Sequence, residues 1–148
     1  MGVESDKVGP VEEQIELKKV FGDVFFRANR DKANNIVKAH WFGVQSVETV
    51  KLGGYKMLEM MKQNPYSKLL NCNKNVIGSW DMALDWAQNE WAPQMREGGL
   101  RYLAQVVPSS YYATITIENL IQKIDDTFEI RTFEDEGSAV VWLLSLKN

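Results

Sequence analysis

The sequence predicts an α/β protein: a mixed, mostly parallel sheet of about five strands, with four helices. Three observations carry that expectation. Two runs rich in Val, Ile, Phe and Trp, "DVFFRANRD" (23–31) and "NNIVKAHWFG" (34–43), flank a polar stretch, which reads as a β-hairpin. After them, amphipathic stretches of helical length alternate with short apolar runs, a pattern that calls for right-handed crossovers and parallel pairing. Finally, 148 residues are one domain's worth of chain, enough to bury a core unaided.

Residues 1–11 are polar and read as a flexible lead-in, which leaves 12–148 as a single domain. Residues 13–22 alternate Ile15, Leu17, Lys19, Phe21, the pattern of an edge strand. The stretch 46–65 predicts a helix, with Ser46 as N-cap and Glu48 in its first turn. Val47, Val50, Gly54, Leu58 and Met61 form its apolar stripe. Gly53 and Gly54 each cost a helix about 1 kcal/mol relative to Ala, so something is expected to pack closely there. Pro65 ends this helix. A short strand (66–71) follows, and then a turn containing Asn73 and Asn75, since Asn folds its amide back onto the chain.

A second helix is expected over 78–99, capped by Ser79 and closed by Gly98-Gly99. Trp80, Leu84, Ala87 and Trp91 lie on one side of it. The nearly continuous apolar run 100–108 reads as a central strand covered on both faces. A third helix (116–127), a strand (128–133) and a final helix opening on acidic residues (134–146) complete the order.

Composition narrows the function classes. The net charge is −3, without the basic face that non-specific nucleic-acid binding needs. The halves differ: residues 1–74 hold 12 Lys/Arg against 9 Asp/Glu, and residues 75–148 hold 5 against 11, a polarity able to steer a partner. Cys72 is the single cysteine, so no intrachain disulfide forms, which fits a reducing cytoplasm. No apolar run reaches the roughly 20 residues of a membrane span.

The order of elements resembles the STAS fold and, within it, the SpoIIAA-like (STAS/SEC14-type) small bacterial proteins. "WAPQMREGGLRYLAQVVPSS", "FEIRTFEDEGSAVVWL" and "NIVKAHWFGVQSVETVKLG" look like that group's helix–strand junction, last strand and helix, and second strand with its capped helix. The resemblance covers roughly 13–146 and implies a protein-interaction module. It also implies a phosphorylatable Ser or Thr, preceded by Asp, opening the helix after the third strand. Here Asn71 ends that strand, no Asp-Ser pair occurs, and Ser79 is the nearest hydroxyl.

Several side chains are candidates for function. Ser79 reads as a helix cap, with a phosphoacceptor as the sharper alternative. Asn71 and Asn73, with Ser79, Trp80, Ser109, Ser110 and Tyr111, are placed to line a crevice beyond the carboxyl ends of strands 66–71 and 100–108, where open α/β sheets bind ligands. His40, the single histidine, reads as a half-buried strand residue and Cys72 as a small apolar one; no metal-ligand spacing joins them. Trp86 points away from the line through Trp80, Leu84 and Trp91, which suggests contact with a second chain.

The expected function is a non-catalytic cytoplasmic interaction module that pairs with itself as a homodimer and with another protein, with no cofactor and no nucleic-acid partner. The alternative is a protein that binds a small apolar or anionic ligand, or a lipid, in the crevice.

Overall fold

The computed structural model describes residues 14–108, 118–119, 122 and 127–147. The lead-in, Ser109, Ser110 and Tyr111, and nearly all of the helix expected over 116–127 lie outside them; Glu118, Asn119 and Gln122 are helical.

The sheet has six strands, one more than expected, and their spatial order is their order along the chain. β1 (Gln14–Lys18), β2 (Val24–Asp31) and β3 (Ile36–Val44) form an antiparallel meander, while β4 (Lys68–Ile77), β5 (Tyr102–Val106) and β6 (Glu129–Phe133) extend it in parallel. The β2–β3 turn is set by Asp31, whose carboxylate accepts from the backbone and side-chain N–H groups of Asn34, and by Asn35 at φ +55°. β1 is shorter than expected. It stops at Lys18, and a turn through Gly22 (φ +97°) leaves Phe21 96% exposed instead of continuing the inward alternation.

α1 (Val47–Gln63) carries a full capping box: Ser46 Oγ accepts from Thr49 N, and Thr49 Oγ1 accepts from Ser46 N. Its buried face runs through Val50, Gly53, Gly54, Met57, Leu58 and Met61, whereas Val47 stands outside it in solvent. Arg30, buried on β2, donates to Asn64 O just past the helix end and lies 5.1 Å above the Tyr66 ring. The guanidinium thus meets the negative end of the helix dipole.

α2 (81–98) is irregular. It opens with a 3₁₀ turn (Asp81–Ala83), continues through Leu84–Trp86, widens to a π-helical stretch (Ala87–Trp91) and finishes as Ala92–Gly98. Pro93 accounts for the widening. A proline ring inside a helix collides with the carbonyl four residues back, and a π turn relieves that collision. Gly99 (φ +128°) closes the helix by donating to Met95 O and Arg96 O. α3 (Glu136–Ser145) is capped by Asp135, which accepts from Ser138 N at 2.7 Å.

Two cores result. α1 and α2 cover one face of the sheet, against Phe26, Trp41, Leu69 and Leu103 among others. α3 covers the other, against Ile36, Leu70, Ala104 and Val106. β5 is buried on both faces, as its apolar run predicted.

β4 corrects the sequence reading. Asn73 and Asn75 belong to the strand, which runs on to Ile77, and not to a turn. β4 also holds a bulge: while β3 steps from His40 to Phe42, β4 steps from Cys72 to Asn75. The extra residue reverses the alternation, so Val76 joins the α1/α2 core although its parity matches Cys72.

Candidate functional site

Trp41 on β3, Asn71 on β4, Leu103 on β5, Gly54 and Met57 on α1, and Trp80, Trp86 and Trp91 at the start and middle of the α2 segment enclose a cavity of about 30 Å³. Four of the five tryptophans therefore converge on one space. The glycine pair makes this possible. A Cβ on Gly53 would stand 2.3 Å from Cη2 of Trp41, and one on Gly54 would stand 2.4 Å from Cη2 of Trp86. The close packing expected at these glycines is thus contact with indole rings.

On the sheet side, Asn71 leads from the cavity into a buried polar network. Trp41 donates its indole N–H to Asn71 Oδ1 at 2.7 Å. Asn71 in turn donates to Gln105 Oε1 at 2.9 Å and to Asn73 Oδ1 at 3.2 Å. Gln105 donates to Asn73 Oδ1 as well. All four residues are buried, so the network ties β3, β4 and β5 together in a low-dielectric setting where each bond counts for more.

The helix side differs. Trp80 and Trp91 are each only 5% exposed, yet neither indole N–H has a partner among the described residues. Buried polar atoms are nearly always hydrogen-bonded, so two orphans on one cavity call for an occupant. The volume holds one or two waters as it stands. The uncommitted groups are donors, so the occupant must supply acceptors.

The expected crevice residues are only partly brought together. Asn71 and Trp80 line the cavity, and Asn73 stands behind Asn71. This cavity lies between the sheet and the helices, whereas the crevice expected beyond the strand ends depends on Ser109, Ser110 and Tyr111, which lie outside the described residues. Ser79 is not in its lining. Its Oγ accepts from Asp81 N at 3.2 Å, so it shapes the turn before the helix, while Trp80 occupies the N-cap position itself. Trp86 packs within its own chain, its ring edge over Gly54 and T-shaped to Tyr55 at 5.3 Å. Part of the second apolar side of α2, read from the sequence as a contact with another chain, packs on α1, and Trp86 stays half-buried.

A different cluster lies on the opposite face. His40 and Cys72 are paired across β3 and β4, and Glu136 stands in the first turn of α3. His40 Nε2 is 2.8 Å from Glu136 Oε1. A ring nitrogen of His40, Sγ of Cys72 and a carboxylate oxygen of Glu136 all lie within 4.8 Å of one another. Burial raises the Cys72 thiol pKa above its ordinary value, against the opposing pull of the Lys74 backbone N–H. Spacings of 32 and 64 residues hid this grouping from the sequence reading, and only the β3–β4 register reveals it.

No protein-family model matches this chain, and no curated protein matches it. Among the described residues no helix is long and apolar enough to cross a membrane.

Proposed function

We propose that this protein is a non-catalytic binding protein whose ligand occupies the tryptophan-lined cavity. The observation that carries this reading is that Trp80 and Trp91, the two residues whose buried indole N–H groups lack a partner among the described residues, both line one cavity whose wall is otherwise mostly apolar. The matching ligand is compact and apolar, preferably ring-shaped, and carries a carbonyl or carboxylate oxygen. It needs more room than the roughly 30 Å³ of this cavity offers. The segment that must yield is the start of α2, whose 3₁₀ and π turns already depart from a regular helix; π segments recur at functional sites.

The test is a thermal-shift and tryptophan-fluorescence titration with benzoate, indole and a medium-chain fatty acid. A ligand at a hundred times its dissociation constant raises the unfolding free energy by about 2.7 kcal/mol. Replacing Trp80 and Trp91 with Phe keeps the apolar wall but removes both donors, and should weaken the oxygen-bearing ligand selectively. Absence of any shift across the panel would reduce the cavity to a site for structural water.

A second reading, the STAS-like interaction module, is favoured by one surface. Val20, Val44 and Leu52, all exposed, border one groove, and Ile77 lies beside Val44 in the β3–β4 register. Apolar surface gathered this way marks a docking site. The meander followed by parallel units, with the phosphoacceptor role of Ser79 attached to it, belongs to the same proposal.

A further inference from the structure

The geometry points to a divalent transition-metal site of zinc type, held by His40, Cys72 and Glu136. Three donors of three kinds, imidazole nitrogen, sulfur and carboxylate oxygen, come from three separate elements: β3, β4 and the first turn of α3. Their ligating atoms lie within 4.8 Å of one another.

This donor set selects the ion. Calcium and magnesium take oxygen ligands, while a mixed nitrogen, sulfur and oxygen set suits zinc, which binds each of these atoms at about 2.0–2.3 Å. The charges also balance, since a thiolate and a carboxylate offset a dication while the imidazole binds neutral. Three protein ligands leave a fourth position open, as in zinc sites that hold a water.

The surroundings are arranged for it. The β4 bulge begins directly after Cys72, and bulges commonly re-aim side chains next to functional sites. The 2.8 Å separation of His40 Nε2 and Glu136 Oε1 is closer than two ligands stand across a tetrahedral ion, so Glu136 must draw back by roughly half an ångström to admit one. With 41% of its side chain exposed, against 22% for His40, it has room to do so.

The experiment is a titration of the metal-free protein with Co²⁺ alone, followed by displacement with Zn²⁺. One equivalent of Co²⁺ should produce a sulfur-to-cobalt charge-transfer band that Zn²⁺ abolishes, and Zn²⁺ should raise the melting temperature. Cys72→Ala should remove the band, and His40→Gln and Glu136→Gln should each weaken Zn²⁺ by at least about tenfold. Glu136→Gln is the variant that preserves the fold, because its side chain is half exposed and serves no core packing. A wild-type protein with no band at millimolar Co²⁺, or zinc affinity unchanged in Glu136→Gln, overturns the assignment. The cavity proposed for the small ligand lies across the sheet, so either result leaves that reading to its own test.

Discussion

Asn71 donates both amide hydrogens, to Asn73 and Gln105, and accepts the indole N–H of Trp41. Asn71→Asp would remove the donors and bury a carboxyl among acceptors, and should cost more than about 2 kcal/mol in urea denaturation at neutral pH. Arg30 is the counterpart at the far end of α1: Arg30→Ala strips Asn64 O and Asn35 Oδ1 of their donor and opens a void beside Tyr66. Its expected cost is about 2–4 kcal/mol by the same measurement. Asp135 links stability to pH. The Ser138 backbone N–H, then its hydroxyl, hold this carboxyl below the ordinary range. A depressed folded pKa contributes stability above the unfolded value and loses it as pH falls through the folded one. Urea unfolding followed from about pH 5 down to about pH 2 should therefore show a flatter acid limb in Asp135→Asn, whose amide still caps α3. At this scale the sequence misled where a local preference met a tertiary demand. Three asparagines on alternate positions have the period of a strand, but the turn chemistry of Asn outweighed that signal. Burial of Asn71 and Asn73 against Gln105, 34 and 32 residues away, decides for the strand.

α1 was legible because its cap and its apolar period are both local. Even so, Val47, first in the expected stripe, faces solvent while Gly53 and Met57 fill the buried face. The start of α2 was not legible. Ser79 lies where a cap belongs, but the chain enters through a 3₁₀ turn with Trp80 at the boundary, and Pro93 then widens the helix, so that a regular 3.6-residue wheel misplaces Trp86. Gly54→Ala tests the packing of these two helices. Alanine would gain about 1 kcal/mol in helix propensity, yet its Cβ at 2.4 Å from the Trp86 ring forces a repacking that costs about 1–3 kcal/mol. The expected outcome is a net loss of thermal stability, with a shift in tryptophan emission as Trp86 is displaced.

For the molecule as a whole, the class, the meander and the parallel units were readable because each rests on runs of residues close in sequence. The sheet reaches six strands and not about five, because the edge strand β1 adds to the hairpin and the three parallel strands. What the sequence withheld is everything set by register, including the convergence of four tryptophans and the meeting of His40, Cys72 and Glu136. The exposed groove at Val20, Val44 and Leu52 yields a prediction at this scale. If it joins two copies, light scattering at micromolar concentration should give a dimer that Val44→Glu converts to monomer, while Trp86→Ala leaves the mass unchanged. One feature of β4 reaches across the entire fold. Asn71 and Asn73 face the helices of one layer and Cys72, between them, faces the other, so three consecutive residues serve two chambers back to back. An occupant that shifts this stretch from one side must alter the other side's affinity, and thermodynamic linkage makes the influence equal in both directions. If both proposals hold, this one strand is the route by which a cation on one face would be read out by tryptophan emission from the other.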